Sequence, residues 1–134
     1  MASGISTVSC GHSHPAIVKA ISDQAQKLIH SSPIYASESQ GEYSKKLCQE
    51  LGYGFDSVYL CNSGGEANDF AIYLSRLFSR EYKIYSLKNG YHGLAGNAGN
   101  LTNVGIWNTG MRGGFEFEKF AWPTPYRGIF KSTD

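Results

Sequence analysis

Asn62-Ser63-Gly64-Gly65-Glu66-Ala67-Asn68 is the stretch whose residue types point most directly to chemistry. It lies between a short apolar run and a helical pattern. Its backbone N–H groups are therefore those that lack an intrahelical acceptor at a helix start. With the helix dipole, such groups form an anion site. Ser63 and Glu66 also have capping-box spacing, but a plain cap leaves the paired glycines unexplained. Each glycine costs roughly 1 kcal/mol against alanine inside a helix, so two in succession suggest a ligand that approaches the backbone closely. GxxxxGK[ST] is absent, which argues against an ATP-type phosphate loop. GxGxxG is also absent, which argues against a dinucleotide site.

A second segment, Gly90-Tyr91-His92-Gly93, follows another apolar run. If the two runs are parallel strands, it leaves the sheet at the same carboxyl edge as Ser63–Gly65, where open α/β sheets place ligands. A tyrosine between glycines there can lay its ring on a flat ligand, worth ~0.5–1.5 kcal/mol beyond area burial. The alternative is a turn with a packed aromatic. Together the two segments suit a ligand with a phosphate and a planar ring. A third segment, Gly11-His12-Ser13-His14-Pro15, carries an HxH pair, with His30 and His92 elsewhere in the chain. No Cys or carboxylate cluster converges on it, so no metal site is assigned.

The elements that must position these residues are legible from periodicity. Pro15 suits a first helical position. Ile17, Val18, Ile21, Ala25, Leu28 and Ile29 then fall on one stripe, and Ser31-Ser32-Pro33 ends the helix. A second helix is predicted from Ser39, because Ser39 and Glu42 have S-x-x-E spacing. It carries Tyr43, Leu47 and Leu51 and stops at Gly52. Ser57–Cys61 reads as a buried strand and Tyr82–Leu87 as a second one. The helix between them has Ala67, Phe70, Ala71, Leu74, Leu77 and Phe78 on one face. Strand, helix and strand within about thirty residues make a βαβ unit with parallel strands. Gly93 to Gly114 holds seven glycines and reads as loop, with a helical turn near Leu94. The aromatic-rich end (Trp107, Phe115, Phe117, Phe120, Trp122, Tyr126, Phe130) has no regular period.

Composition sets the bounds. The 134 residues are 41% hydrophobic and 17% charged with a net charge of +1, ordinary for a globular chain and without the basic footprint of a nucleic-acid binder. No apolar stretch approaches the ~20 residues of a membrane span. The chain enters a patterned segment directly after Met1-Ala2-Ser3, so no targeting peptide is visible. Cys10, Cys48 and Cys61 are three in number and lack CxxC spacing, which suits free thiols in a reducing compartment. Two parallel strands are too few for a sheet that needs both faces covered. The sequence therefore reads as the opening of a larger α/β domain.

The run from Gly4 to Gly93 resembles the class III aminotransferases of pyridoxal-phosphate (PLP) fold type I. The likeness rests on Gly4-Ile5, Gly11-His12-Ser13-His14-Pro15, Asn62 to Asn68 and Gly90 to Gly93, in that order. Leu101-Thr102-Asn103-Val104-Gly105 and the aromatic, proline-containing end are most similar to the alanine–glyoxylate aminotransferase 2 branch. The resemblance implies an incomplete α/β portion of that fold: an N-terminal segment over 1–36 and the first part of the PLP-binding large domain over 37–134. It implies pyridoxal 5'-phosphate as cofactor, with Ser63, Gly64 and Gly65 on the phosphate, Tyr91 stacked on the pyridine ring and His92 beside it. The family often has Ser or Thr where this chain has Gly65, which removes one hydroxyl contact.

No catalytic residue is assigned. In the family the acid that pairs with the pyridinium nitrogen and the Schiff-base lysine follow later strands. None of the eight lysines here (Lys19, Lys27, Lys45, Lys46, Lys83, Lys88, Lys119, Lys131) has that context. The implied activity is transfer of an amino group from an amino acid such as alanine to glyoxylate or another 2-oxo acid. The implied protein is a mitochondrial or cytoplasmic homo-oligomer, a dimer or tetramer, with neither nucleic-acid nor membrane partners, and the 134 residues alone would be inactive. Another class III activity (an ω-amino-acid transaminase or phospholyase) and a non-catalytic truncated protein are the alternatives.

Overall fold

The computed structural model describes residues 3–107 and 116–129. The chain divides into two compact units, 1–58 and 59–134.

The first unit opens on a left-handed turn at Ser3–Ser6, with Gly4 and Ile5 both at positive φ. Helix α1, Pro15–Lys27, starts with proline at its first position, as expected. It ends short of Ile29 because Leu28 turns extended, and the Leu28 N–H closes on the Gln24 carbonyl. Helix α2 spans Glu38–Leu51 and ends at Gly52, whose φ of 64° suits a residue without Cβ. Its start corrects the capping-box expectation. Ser37, not Ser39, is the N-cap, and the two hydroxyls bond to each other at 3.2 Å instead of capping the helix. No described side chain of this unit is buried, so the apolar stripe of α1 stays uncovered, with Ile21 64% exposed.

The second unit holds the site. Helix α3, Gly64–Ser79, is followed by strand β1, Ile84–Leu87, the short helix α4, Gly96–Leu101, and a 3-10 turn at Gly105–Trp107. Strand β2, Phe117–Phe120, pairs in parallel with β1, with Ile84 opposite Phe117 and Leu87 opposite Phe120.

Three expectations are corrected here. Ser57–Cys61 forms no strand, because among the described residues no backbone edge pairs with it. The partner of β1 comes instead from the aromatic segment that shows no period in the sequence. The strand predicted from Tyr82 begins only at Ile84, since the Tyr82 carbonyl accepts from the Arg76 guanidinium at 2.9 and 3.1 Å.

The third correction concerns the packed face of α3. Leu74, Leu77 and Phe78, on the apolar face read from the sequence, are 45–94% exposed. The face that packs carries Gly65, Asn68, Asp69 and Ile72, at i, i+3, i+4 and i+7. Gly65 meets Gly93, Asn68 and Asp69 bond to the 92–98 segment, and Ile72 is buried. Ala98 and Leu101 of α4 complete the apolar part of this small core, and Ser86 of β1 donates from within it to the Leu101 carbonyl. No helix among the described residues is long and apolar enough to cross a membrane.

Candidate functional site

Ser63 is the N-cap of α3, in extended conformation, and its hydroxyl accepts from the Glu66 N–H at 3.2 Å. Its carbonyl accepts from the Ala67 N–H at 3.0 Å, the first bond of the helix. Glu66 reaches back, and its carboxylate accepts from the Asn62 N–H at 2.8 Å. The capping box is therefore real, though its return bond lands one residue before the cap. It satisfies the N–H groups of Asn62 and Glu66 and leaves those of Ser63, Gly64 and Gly65 without an acceptor among the described residues. A Cβ on Gly64 would meet nothing within 4 Å, so the backbone there faces open space. A pair of N–H groups without acceptors at the positive end of a 16-residue helix is an anion cradle.

The Gly90–Gly93 segment crosses directly over this turn. A Cβ on Gly93, at φ 126°, would lie 2.9 Å from the Gly65 Cα and 3.1 Å from the Ala98 Cβ, so only glycine allows the approach. Ser63, Gly64, Gly65, Tyr91 and His92, the five residues singled out in the sequence, all line one cleft of about 570 Å³ with Asn68, Gly93 and Leu94. That volume suits a small organic ligand. Tyr91 is 56% exposed and rests its ring edge-on against Trp107, centroids 6.2 Å apart. His92 lines the cleft too, but its Nε2 is buried without a partner and turned in against Gly90, where a Cβ would come within 2.7 Å of it.

Two carboxylates also line the cleft, and both are engaged. Glu66 holds Asn62, and Asp69 accepts from the Ala98 N–H at 2.7 Å, capping α4. Asp69 also explains Gly96, at φ 55°, since a Cβ there would collide with the carboxylate. Asn68 donates to the His92 carbonyl at 2.7 Å. Sequence reading missed Asn68, Asp69 and Thr102. For the first two a signal existed, because they fall three and four residues after Gly65 on the same helix face.

The aminotransferase class-III family model matches residues 1–112. The chain belongs to the class III aminotransferases. Among relatives, alanine–glyoxylate aminotransferase 2 of Homo sapiens, a mitochondrial protein, is 35% identical over 126 residues, 94% of this chain and 24% of that protein. An acetylornithine aminotransferase of Methanothermobacter thermautotrophicus is 43% identical over 90 residues, 67% of this chain and 23% of that protein. The chain thus spans about a quarter of the length of the curated class III aminotransferases it matches. Among solved structures, taurine:2-oxoglutarate aminotransferase of Bifidobacterium kashiwanohense, in complex with PLP and glutamate, superposes with a TM-score of 0.79 at 29% identity. The match covers 87% of this chain and 27% of that one. The class III fold is therefore the fold of this chain, and the expectation of an α/β portion of fold type I is met.

Proposed function

We propose that this protein is a pyridoxal 5'-phosphate-dependent aminotransferase that moves an amino group from an amino acid such as alanine to glyoxylate or another 2-oxo acid. One observation carries the reading. The unclaimed N–H groups of Gly64 and Gly65 and the exposed ring of Tyr91 open onto a single cleft.

The residues present fit the cofactor. Ser63, Gly64 and Gly65 would hold its phosphate through the helix N-terminus, where the dipole and the free donors favour a dianion. Tyr91 would lie against the pyridine ring, and His92 would form the wall beside it. The two carboxylates that line the cleft are each turned onto a backbone N–H, Glu66 onto that of Asn62 and Asp69 onto that of Ala98, which leaves the N–H groups of Gly64 and Gly65 to the phosphate. When bound, pyridoxal phosphate supplies the electron sink for amino-group chemistry, and these residues supply binding and orientation. Residues 37–134 would form the first part of the cofactor domain, with 1–36 preceding it. The intact protein would work as a dimer or tetramer, and the mitochondrial name of the human relative supports a mitochondrial location.

The higher identity to an acetylornithine aminotransferase over a shorter span favours a second reading, with a different amino donor on the same site. Reconstituting the intact apo-protein with pyridoxal phosphate separates the two. Transfer from alanine to glyoxylate exceeding transfer from acetylornithine to 2-oxoglutarate supports the first reading. The reverse supports the second, and no transfer with any donor sinks both.

A further inference from the structure

The ring of Tyr91 is useful to a flat ligand only if it stands at a set distance from the anion cradle, and the loop that carries it has no regular structure to enforce that. Its backbone is instead held by hydrogen bonds on both sides. The Gly90 carbonyl accepts from the Asn103 N–H at 2.8 Å. The His92 N–H donates to the Thr102 hydroxyl at 2.9 Å, and that hydroxyl donates onward to the Gly93 carbonyl at 2.6 Å. The His92 carbonyl accepts from the Asn68 amide at 2.7 Å. Both polar groups of the His92 backbone are thus tied by side chains, one from Thr102 and one from Asn68.

We propose that Asn68 and Thr102 are positioning residues that fix Tyr91 over the Ser63–Gly65 turn, so that a ligand's ring and its phosphate are read together. The inference rests on the proposed cofactor reading and extends it to Asn68, on the cleft wall, and to Thr102, behind it. Asn68 lies three residues after Gly65 on α3, so one rigid helix bears both the cradle and the tie to the platform. Thr102 is 3% exposed, so its bonds to the loop form where water does not compete for them. The described core is small, and polar ties of this kind carry much of the loop's order.

The test uses the intact apo-protein with Thr102→Val, which keeps shape and loses the hydroxyl, Thr102→Ser, which keeps the hydroxyl, and Asn68→Leu, which loses the amide. Affinity for inorganic phosphate, affinity for pyridoxal 5'-phosphate and amide exchange at His92 are measured for each. Thr102→Val and Asn68→Leu are expected to weaken pyridoxal phosphate about tenfold, to leave inorganic phosphate within about twofold, and to speed exchange at His92. Thr102→Ser is expected to restore all three. If Asn68→Leu does not fold, the Thr102 pair decides alone. Unchanged pyridoxal phosphate affinity overturns the inference. Equal loss of both ligands also overturns it, because it shows general structural damage. A wild-type protein that binds neither ligand would overturn the site itself, and the positioning role with it.

Discussion

Gly93 sits so close to Gly65 that a Cβ on Gly93 would come within 2.9 Å of the Gly65 Cα. The crossing is asymmetric. A Cβ on Gly65 would lie 3.6 Å from the Gly93 Cα, an ordinary contact, and Gly65 has helical backbone, whereas Gly93 is at φ 126°. Gly93→Ala should therefore destabilise the fold by about 1–3 kcal/mol through overpacking and backbone strain. Gly65→Ala should stay within about 1 kcal/mol of wild type, tilted toward stabilisation by helix propensity. Urea unfolding of the two variants checks this, and equal losses would show that the crossing is looser than described.

How much of this was legible without the structure depends on the range of the interaction. Pro15, Gly52 and Ser63 mark helix ends through bonds a few residues long, and all three are where local rules put them. The pairing of β1 with β2 joins residues more than thirty positions apart, and nothing local in Phe117–Phe120 marks it as a strand. The packed face of α3 is hidden for a different reason. Its most apolar stripe is not the one that packs, because the helix packs through Gly65, Asn68, Asp69 and Ile72, where close backbone approach and hydrogen bonds replace apolar area. The five candidate site residues were legible because they follow chemistry, not area. Asn68 shares a helix face with Gly65 and could be read from that spacing, whereas Thr102 bonds to backbone groups about ten residues away, which no spacing rule reads.

Tyr91 offers a test of ring against packing. Tyr91→Phe keeps the ring and should bind pyridoxal phosphate nearly as wild type does. Tyr91→Ala should lose at least the ~0.5–1.5 kcal/mol of an aromatic stack and should alter the visible circular dichroism of the bound cofactor. If the alanine variant matches the phenylalanine variant in both, Tyr91 only packs on Trp107.

The lysines give a third expectation. Lys83 is bonded to Glu118 at 2.6 Å, and this hydrogen bond, then the carboxylate's charge, hold its ammonium above the ordinary lysine range. A raised value keeps the ion pair intact below the ordinary lysine value and releases it only as pH rises through the raised one. The Glu118 carboxylate therefore engages the Lys83 ammonium and makes it a poorer nucleophile than a lysine without such a partner. The 134 residues alone, mixed with pyridoxal phosphate and borohydride, should show no amino-group transfer and scattered lysine labelling, with Lys83 under-represented. Glu118→Gln should raise the Lys83 share. Stoichiometric labelling of one lysine together with turnover would contradict this expectation.

Gly64 tests the central claim, that the start of α3 holds a phosphate. A Cβ there meets no protein atom within 4 Å, so Asp and Asn both fit the fold, and what distinguishes these two near-isosteric side chains is charge. Asp in the first turn of a helix favours the helix, by about 0.3–1 kcal/mol, so lost binding could not be blamed on unfolding. The decisive measurement is the affinity of the intact apo-protein for pyridoxal phosphate in Gly64→Asp against its neutral counterpart Gly64→Asn. The account predicts that the aspartate weakens binding at least about tenfold relative to asparagine, because a carboxylate then occupies the positive end of the helix that the phosphate needs. Equal affinities in the two variants would contradict it.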